Sequence, residues 1–101
     1  MGNGKEKENM KKYIIKDTLT DIETGVELIY FLGKDGYVHD ESSFYWCDGY
    51  KRKGFALKKI ESDILFYIRF CKGKLIKNMV CEESGRWVHH YEILTISGNA
   101  D

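Results

Sequence analysis

Lys51-Arg52-Lys53-Gly54-Phe55-Ala56-Leu57-Lys58-Lys59-Ile60-Glu61-Ser62-Asp63-Ile64-Leu65-Phe66-Tyr67-Ile68-Arg69-Phe70-Cys71-Lys72-Gly73 supports two readings, and the choice between them changes the fold. In the first, a helix covers about residues 51–61. Phe55, Ala56, Leu57 and Ile60 give it an apolar side, and Lys51, Arg52, Lys58 and Lys59 lie elsewhere on the cylinder. Glu61-Ser62-Asp63 then breaks the helix, and residues 64–70 form a strand. In the second, Ala56, Ile60, Ile64 and Ile68, with Leu57, Tyr67 and Cys71, line one long helix that ends at Gly73. Periodicity is compatible with both. The aromatic and β-branched run Leu65-Phe66-Tyr67-Ile68 and the polar break before it favour the strand. Gly54 weakens the helix, since an interior Gly costs about 1 kcal/mol relative to Ala.

Upstream, Tyr13-Ile14-Ile15 begins a strand, Thr20 to Gly25 is a turn-rich connection, and residues 26–32 form a second strand. Gly33-Lys34-Asp35-Gly36 is the clearest hairpin signal, because Asp-Gly supplies the positive φ of a tight turn. Tyr37-Val38 starts the return strand, Asp40-Glu41-Ser42-Ser43 breaks it, and Phe44-Tyr45-Trp46 reads as a short extended segment before the Asp48-Gly49 turn. Downstream, residues 64–70, 75–81 and 87–96 read as a meander, with turns at Lys72-Gly73 and Glu83-Ser84-Gly85. The expected fold is α+β: a single small domain over residues 10–97, with a mostly antiparallel sheet of about five strands and one helix packed on a face. Tyr13, Ile15, Val26, Leu28, Tyr30, Ala56, Leu57, Ile60, Ile68, Ile93 and Ile96 are the expected core. Residues 1–9 read as a disordered tail and 98–101 as a short C-terminal tail.

Net charge is zero over 101 residues, but the charges are segregated. Residues 17–50 hold eight acids and one base, and residues 51–77 hold nine bases and two acids. A clustered basic face can steer association even when the net charge is nil. The acidic set either meets a basic partner or neutralises the protein's own basic helix, and the second reading is favoured.

The same composition argues against several classes. The longest apolar run, Ile64 to Ile68, falls far short of the roughly 20 residues of a membrane helix, and polar Met1 to Asn9 lacks the apolar core of a secretory signal. Three cysteines (Cys47, Cys71, Cys81) make no disulfide framework, so a reduced cytoplasmic setting is expected. The acids do not follow the spacing of a calcium-binding loop. His39, His89, His90 and the cysteines show no C-x-x-C or H-x-x-x-H pair, and adjacent strand residues such as His89 and His90 point to opposite faces. Neither a metal nor a cofactor is expected. Cys47-Asp48 is the single formal nucleophile candidate and reads instead as a small buried residue. No nucleophile elbow or phosphate loop appears, so an enzyme is not expected.

The residues with most binding potential are Tyr45, Trp46 and Tyr50 with Lys51, Arg52, Lys53, Lys58 and Lys59. Trp, Tyr and Arg concentrate energy at protein interfaces, and cations set orientation and on-rate. The same mixture can stack unpaired bases and hold phosphates, so a small single-stranded nucleic-acid binder is the alternative. Zero net charge weighs against non-specific nucleic-acid binding, which rests on counterion release. A homodimer is a third reading, because opposite charge blocks or a sheet edge can pair across a two-fold axis.

The order of features resembles small phage and prophage proteins of α+β type. It runs from strand Tyr13-Ile14-Ile15-Lys16-Asp17 through a Gly-turn hairpin and Phe44-Tyr45-Trp46 to the basic helix entry at Lys51-Arg52-Lys53. A final strand, Tyr91-Glu92-Ile93-Leu94-Thr95-Ile96, closes it. The resemblance is one of layout over residues 10–97, and no functional residue carries over. It implies a compact fold, a mobile-element setting and a non-catalytic protein that binds a host protein, in the style of anti-CRISPR and other anti-defence inhibitors.

Overall fold

The computed structural model describes residues 11–96. The tails expected at residues 1–9 and 98–101 lie outside the described residues. The stretch quoted above is one helix, α1 (Lys53–Phe70), which corrects the expected strand over residues 64–70. The physical reason is the buried stripe. Ala56, Ile60 and Ile64 recur every four residues and are all buried, and Tyr67 and Cys71 continue the same line at the helix end. Glu61-Ser62-Asp63 does not break the helix. Asp63 Oδ1 accepts a bond from Lys59 Nζ at 3.0 Å, one turn earlier on the same flank. The β-propensity of Leu65-Phe66-Tyr67-Ile68 is overridden by packing, as happens when a long apolar stripe finds a sheet. The helix closes through Cys71 and Gly73, whose N–H groups both donate to the Tyr67 carbonyl, at 3.0 and 2.8 Å.

Six strands form one sheet, one more than expected: β1 (Lys12–Asp21), β2 (Glu27–Leu32), β3 (Val38–His39), β4 (Lys74–Lys77), β5 (Val80–Glu83) and β6 (Trp87–Ile96). Their order is β3-β2-β1-β6-β5-β4, with every pairing antiparallel. The extra strand arises where residues 75–81 were expected as one run. The chain reverses there at Asn78-Met79, with Met79 at φ +61°, and makes a short hairpin. The sheet is therefore two meanders, β1-β2-β3 and β4-β5-β6. They are joined along a single seam whose register runs from Lys12↔Ile96 to Asp21↔Trp87.

Gly36 has φ +79°, as the Asp-Gly turn requires, and Asp35 Oδ1 accepts the Tyr37 N–H at 3.0 Å. The return strand is only two residues long. Residues Glu41–Trp46 form a 3-10 turn where an extended segment was expected, because Asp40 caps it. Its carboxylate accepts the Ser43 N–H at 3.0 Å and the Ser42 hydroxyl at 2.6 Å.

The core lies between α1 and one face of the sheet. It holds Ile15, Leu32, Ala56, Ile60, Ile64, Cys81 and Tyr91, with Tyr13, Tyr50, Tyr67, Met79 and Ile93 packed against it. Of the expected core, Val26 and Leu28 are exposed near the start of β2, while Leu57 and Ile68 sit on a helix flank turned away from the sheet. Tyr30 and Ile96 are half-buried.

After the 3-10 turn the chain crosses the end of the sheet. Lys34 N–H donates to Asp48 O at 2.7 Å, and Tyr13 and Tyr50 exchange backbone hydrogen bonds of 2.8 and 2.7 Å. This crossing depends on Gly33, where a β-carbon would overlap the Asp48 carbonyl. Gly33→Ala is expected to destabilise the protein by about 1–3 kcal/mol, as overpacking against backbone does. Urea denaturation checks the cost. Amide spectra would show the largest shifts at residues 46–50.

Candidate functional site

Phe44 stands edge-on to Phe31, with ring centroids 4.8 Å apart. Phe31 pairs with Lys16, whose neighbour Ile15 points into the helix-side core. Side chains alternate along a strand, so Phe31, Phe44 and the whole 3-10 turn lie on the face opposite α1. The turn is stiffened at both ends, by the Asp40 cap and by Cys47 N–H donating to Phe44 O at 3.0 Å. It presents Tyr45 and Trp46 outward, 94% and 78% exposed. With Lys12, Cys47, Asp48, Gly49 and Ile96 they line a shallow recess.

Tyr50 is half-buried against the core on the other side of the sheet. Lys51, Arg52, Lys53 and Lys58 are exposed, and Lys59 is half-buried in its bond to Asp63. The structure thus separates the candidate residues. Tyr45 and Trp46 occupy one face, Lys58 and Lys59 belong to the helix on the other, and Lys51-Arg52-Lys53 sits at the helix entry between them.

That entry breaks local rules. Arg52 occupies the N-cap without a side-chain cap, and no acid lies in the first turn, so three cations crowd the positive end of the helix dipole. Such unfavourable choices concentrate where a sequence serves something other than stability. The basic segment is also not neutralised from within, contrary to the favoured expectation. The described acids of the first half pair elsewhere: Asp17 with His89, Asp21 with Arg86, Asp35 with His39, and Asp48 with Lys12 and Lys34. Among the described residues, Lys51, Arg52, Lys53, Lys58, Arg69, Lys72, Lys74 and Lys77 make no ion pair.

One cluster escaped the sequence reading. His89 is buried on β6, with Nδ1 3.0 Å from Asp17 Oδ2 and Nε2 2.7 Å from Glu83 Oε2. Its ring stacks on Tyr67 (centroids 4.4 Å apart) and on Tyr91 (5.7 Å). Ionised carboxylates only accept, so a proton on each ring nitrogen satisfies both contacts. Burial alone would lower the His89 pKa, but the bonds to Asp17 and Glu83 outweigh it and hold the pKa above the ordinary imidazole value. The available signal was Asp17 itself, an acid on the side of β1 that otherwise carries Tyr13, Ile15 and Leu19. His90, next in sequence, is exposed on the opposite face.

The carboxylates of this cluster sit at opposite edges of the ring, not around a common point. Among the described residues no group of three or more His, Cys, Asp or Glu side chains is arranged to hold a metal ion. Burial, helped by the charges of Asp35 and Asp48, pushes the Cys47 thiol up to about 11, away from the thiolate a nucleophile needs. Cys47 is half-buried, not fully buried as expected. Among the described residues no helix is long and apolar enough to cross a membrane. No family model matches the chain, and no curated protein and no solved structure matches it.

Proposed function

We propose that this protein is a non-catalytic protein-binding module whose anchors are Tyr45 and Trp46. The observation that carries the reading is the outward presentation of two large rings on a capped, rigid turn. A monomer gains nothing by holding a Trp and a Tyr in solvent, whereas pre-ordered aromatic anchors bind with little entropic loss. Lys51, Arg52 and Lys53, exposed and unpaired at the helix entry, supply orientation and on-rate to an acidic partner. In its finer form the partner is a host or defence protein that the module inhibits, in the cytoplasm, as the resemblance to phage proteins implies. Single-stranded nucleic acid fits the turn less well. Asp40, Glu41 and Asp48 flank the two rings and repel a phosphate backbone there.

The test is retention from a bacterial lysate at low and moderate salt, with a nuclease-treated arm. A discrete, nuclease-resistant protein is expected on the wild type. Tyr45→Ala with Trp46→Ala should weaken its binding about 30-fold or more, the equivalent of about 2 kcal/mol. Both rings are exposed, so the circular dichroism of the double variant should be unchanged. Replacing Lys51, Arg52 and Lys53 by Ala should slow association and reduce its salt dependence. Equal retention by the aromatic variant, or loss of all retained material on nuclease treatment, overturns the reading.

A further inference from the structure

The outer surface of α1 is too apolar for a helix that faces water. Beyond the buried stripe, Leu57, Leu65, Phe66, Ile68 and Phe70 are exposed, with Leu65 at 49% and Phe70 at 73%. On one side the helix and β4 form a groove lined by Leu57, Leu65, Ile68, Leu75 and Met79. A helix that is apolar over most of its circumference is normally covered all round, and contiguous exposed patches of this kind mark interfaces. This surface lies on the face opposite Tyr45 and Trp46, so its occupant is separate from the partner proposed above.

We propose that the occupant is a second copy of this chain, docked by antiparallel packing of α1 on α1 about a two-fold axis at Leu65. The charges at the crest of the helix carry the choice. Glu61, Leu65 and Arg69 are spaced four residues apart and share one stripe. Antiparallel crossing at Leu65 places Glu61 of each copy against Arg69 of the other, giving two symmetric ion pairs around an apolar centre. Neither residue has an ion-pair partner among the described residues. A two-fold contact must be self-complementary, and this stripe is. Lys58 and Lys72 fall two turns from the crossing, where helices packed at an angle have diverged into solvent. The alternative route through the sheet edge is blocked. β4 is four residues long, bounded by Lys74 and Lys77 and irregular between Leu75 and Lys77, as protected edge strands are.

The test is mass by light scattering and sedimentation of the full chain, at concentrations up to about 1 mM. The wild type is expected to be a dimer. Leu65→Asp, at an exposed position that leaves folding intact, should be a monomer throughout the range. Glu61→Arg and Arg69→Glu should each weaken the dimer by placing like charges across the axis. The double exchange Glu61→Arg with Arg69→Glu should restore it, a recovery that a role within one chain would not give, since the two residues are eight apart on the helix. A monomeric wild type, a dimeric Leu65→Asp, or a double exchange that stays monomeric overturns the proposal. None of these outcomes bears on retention of a partner by Tyr45 and Trp46.

Discussion

Replacing His89 by Leu is expected to destabilise the protein by about 3–5 kcal/mol, the cost of breaking a buried ion pair from one side. The Asp17 carboxylate is buried, and its side-chain hydrogen bonds among the described residues go to His89 alone. Leu in that position leaves it with neither water nor a donor. Glu83 is less affected, because its side chain is 28% exposed and can rehydrate. The double variant Asp17→Leu with His89→Leu should recover part of the loss, since an apolar pair of similar volume removes the orphaned charge. Urea midpoints of the three variants and the wild type give the coupling directly.

The same histidine makes stability fall on the alkaline side. Its pKa is raised in the folded protein above an unfolded value of about 6.5. Its contribution is therefore fully present below about pH 6.5 and is lost as the pH rises through the folded pKa. Asp21, Asp35 and Asp40 act in the opposite direction. For Asp21 the cause is chiefly the hydrogen bond from Arg86. For Asp35, burial would raise the pKa, but the bonds from Tyr37, His39 and Asp48 prevail. For Asp40 the hydrogen bonds come from Ser42 and Ser43. All three have a pKa lowered from 3.8, so their contribution is present above that value and is lost as the pH falls through the folded pKa. Wild-type stability should peak between these limits and decline towards pH 9. His89→Leu should lose that decline while keeping the acid limb.

Ile60→Ala is the second large effect, at about 2–5 kcal/mol. Ile60 is 1% exposed at the centre of the cluster formed with Ile15, Leu32, Ala56, Ile64, Cys81 and Tyr91. Removing its outer carbons leaves a cavity between helix and sheet that neither can close without moving the other. Single domains are stable by roughly 5–15 kcal/mol, so the loss is a large share of the whole. Leu57→Ala, three residues earlier on the exposed flank, should cost clearly less. Chemical denaturation of the two variants measures the contrast, and comparable losses would contradict the burial pattern of α1.

Residues 51–73 show what was legible and what was not. The four-residue recurrence Ala56-Ile60-Ile64 was visible, and it does form the buried stripe. The strand reading came from Leu65-Phe66-Tyr67-Ile68, whose side chains look β-like because they are large and apolar on every side. Periodicity reports a helix when one face is wet. Here most of the helix surface is apolar, and that blurred the signal. The Asp-Gly turn was readable because its conformation is local. The 3-10 turn was not, since its Asp40 cap was read as a strand break and nothing local says that Phe44 will fold back onto Phe31. The His89 cluster joins residues 72 positions apart, a pairing that depends on strand register and leaves no mark in a single chain.

The seam between β1 and β6 has a kinetic consequence. Lys12 and Ile96 are direct partners, so the strands at the middle of the sheet are those most distant along the described chain. Each three-stranded half can zip locally through its short hairpins. Joining the halves must first meet the entropy of closing the long connection from Asp21 to Trp87, which holds all of α1. Pairings of such separation are formed late and set the pace. The rate at which this chain reaches its native state is governed by that one meeting, with helix-sheet contacts as the reward that makes it irreversible on the folding timescale.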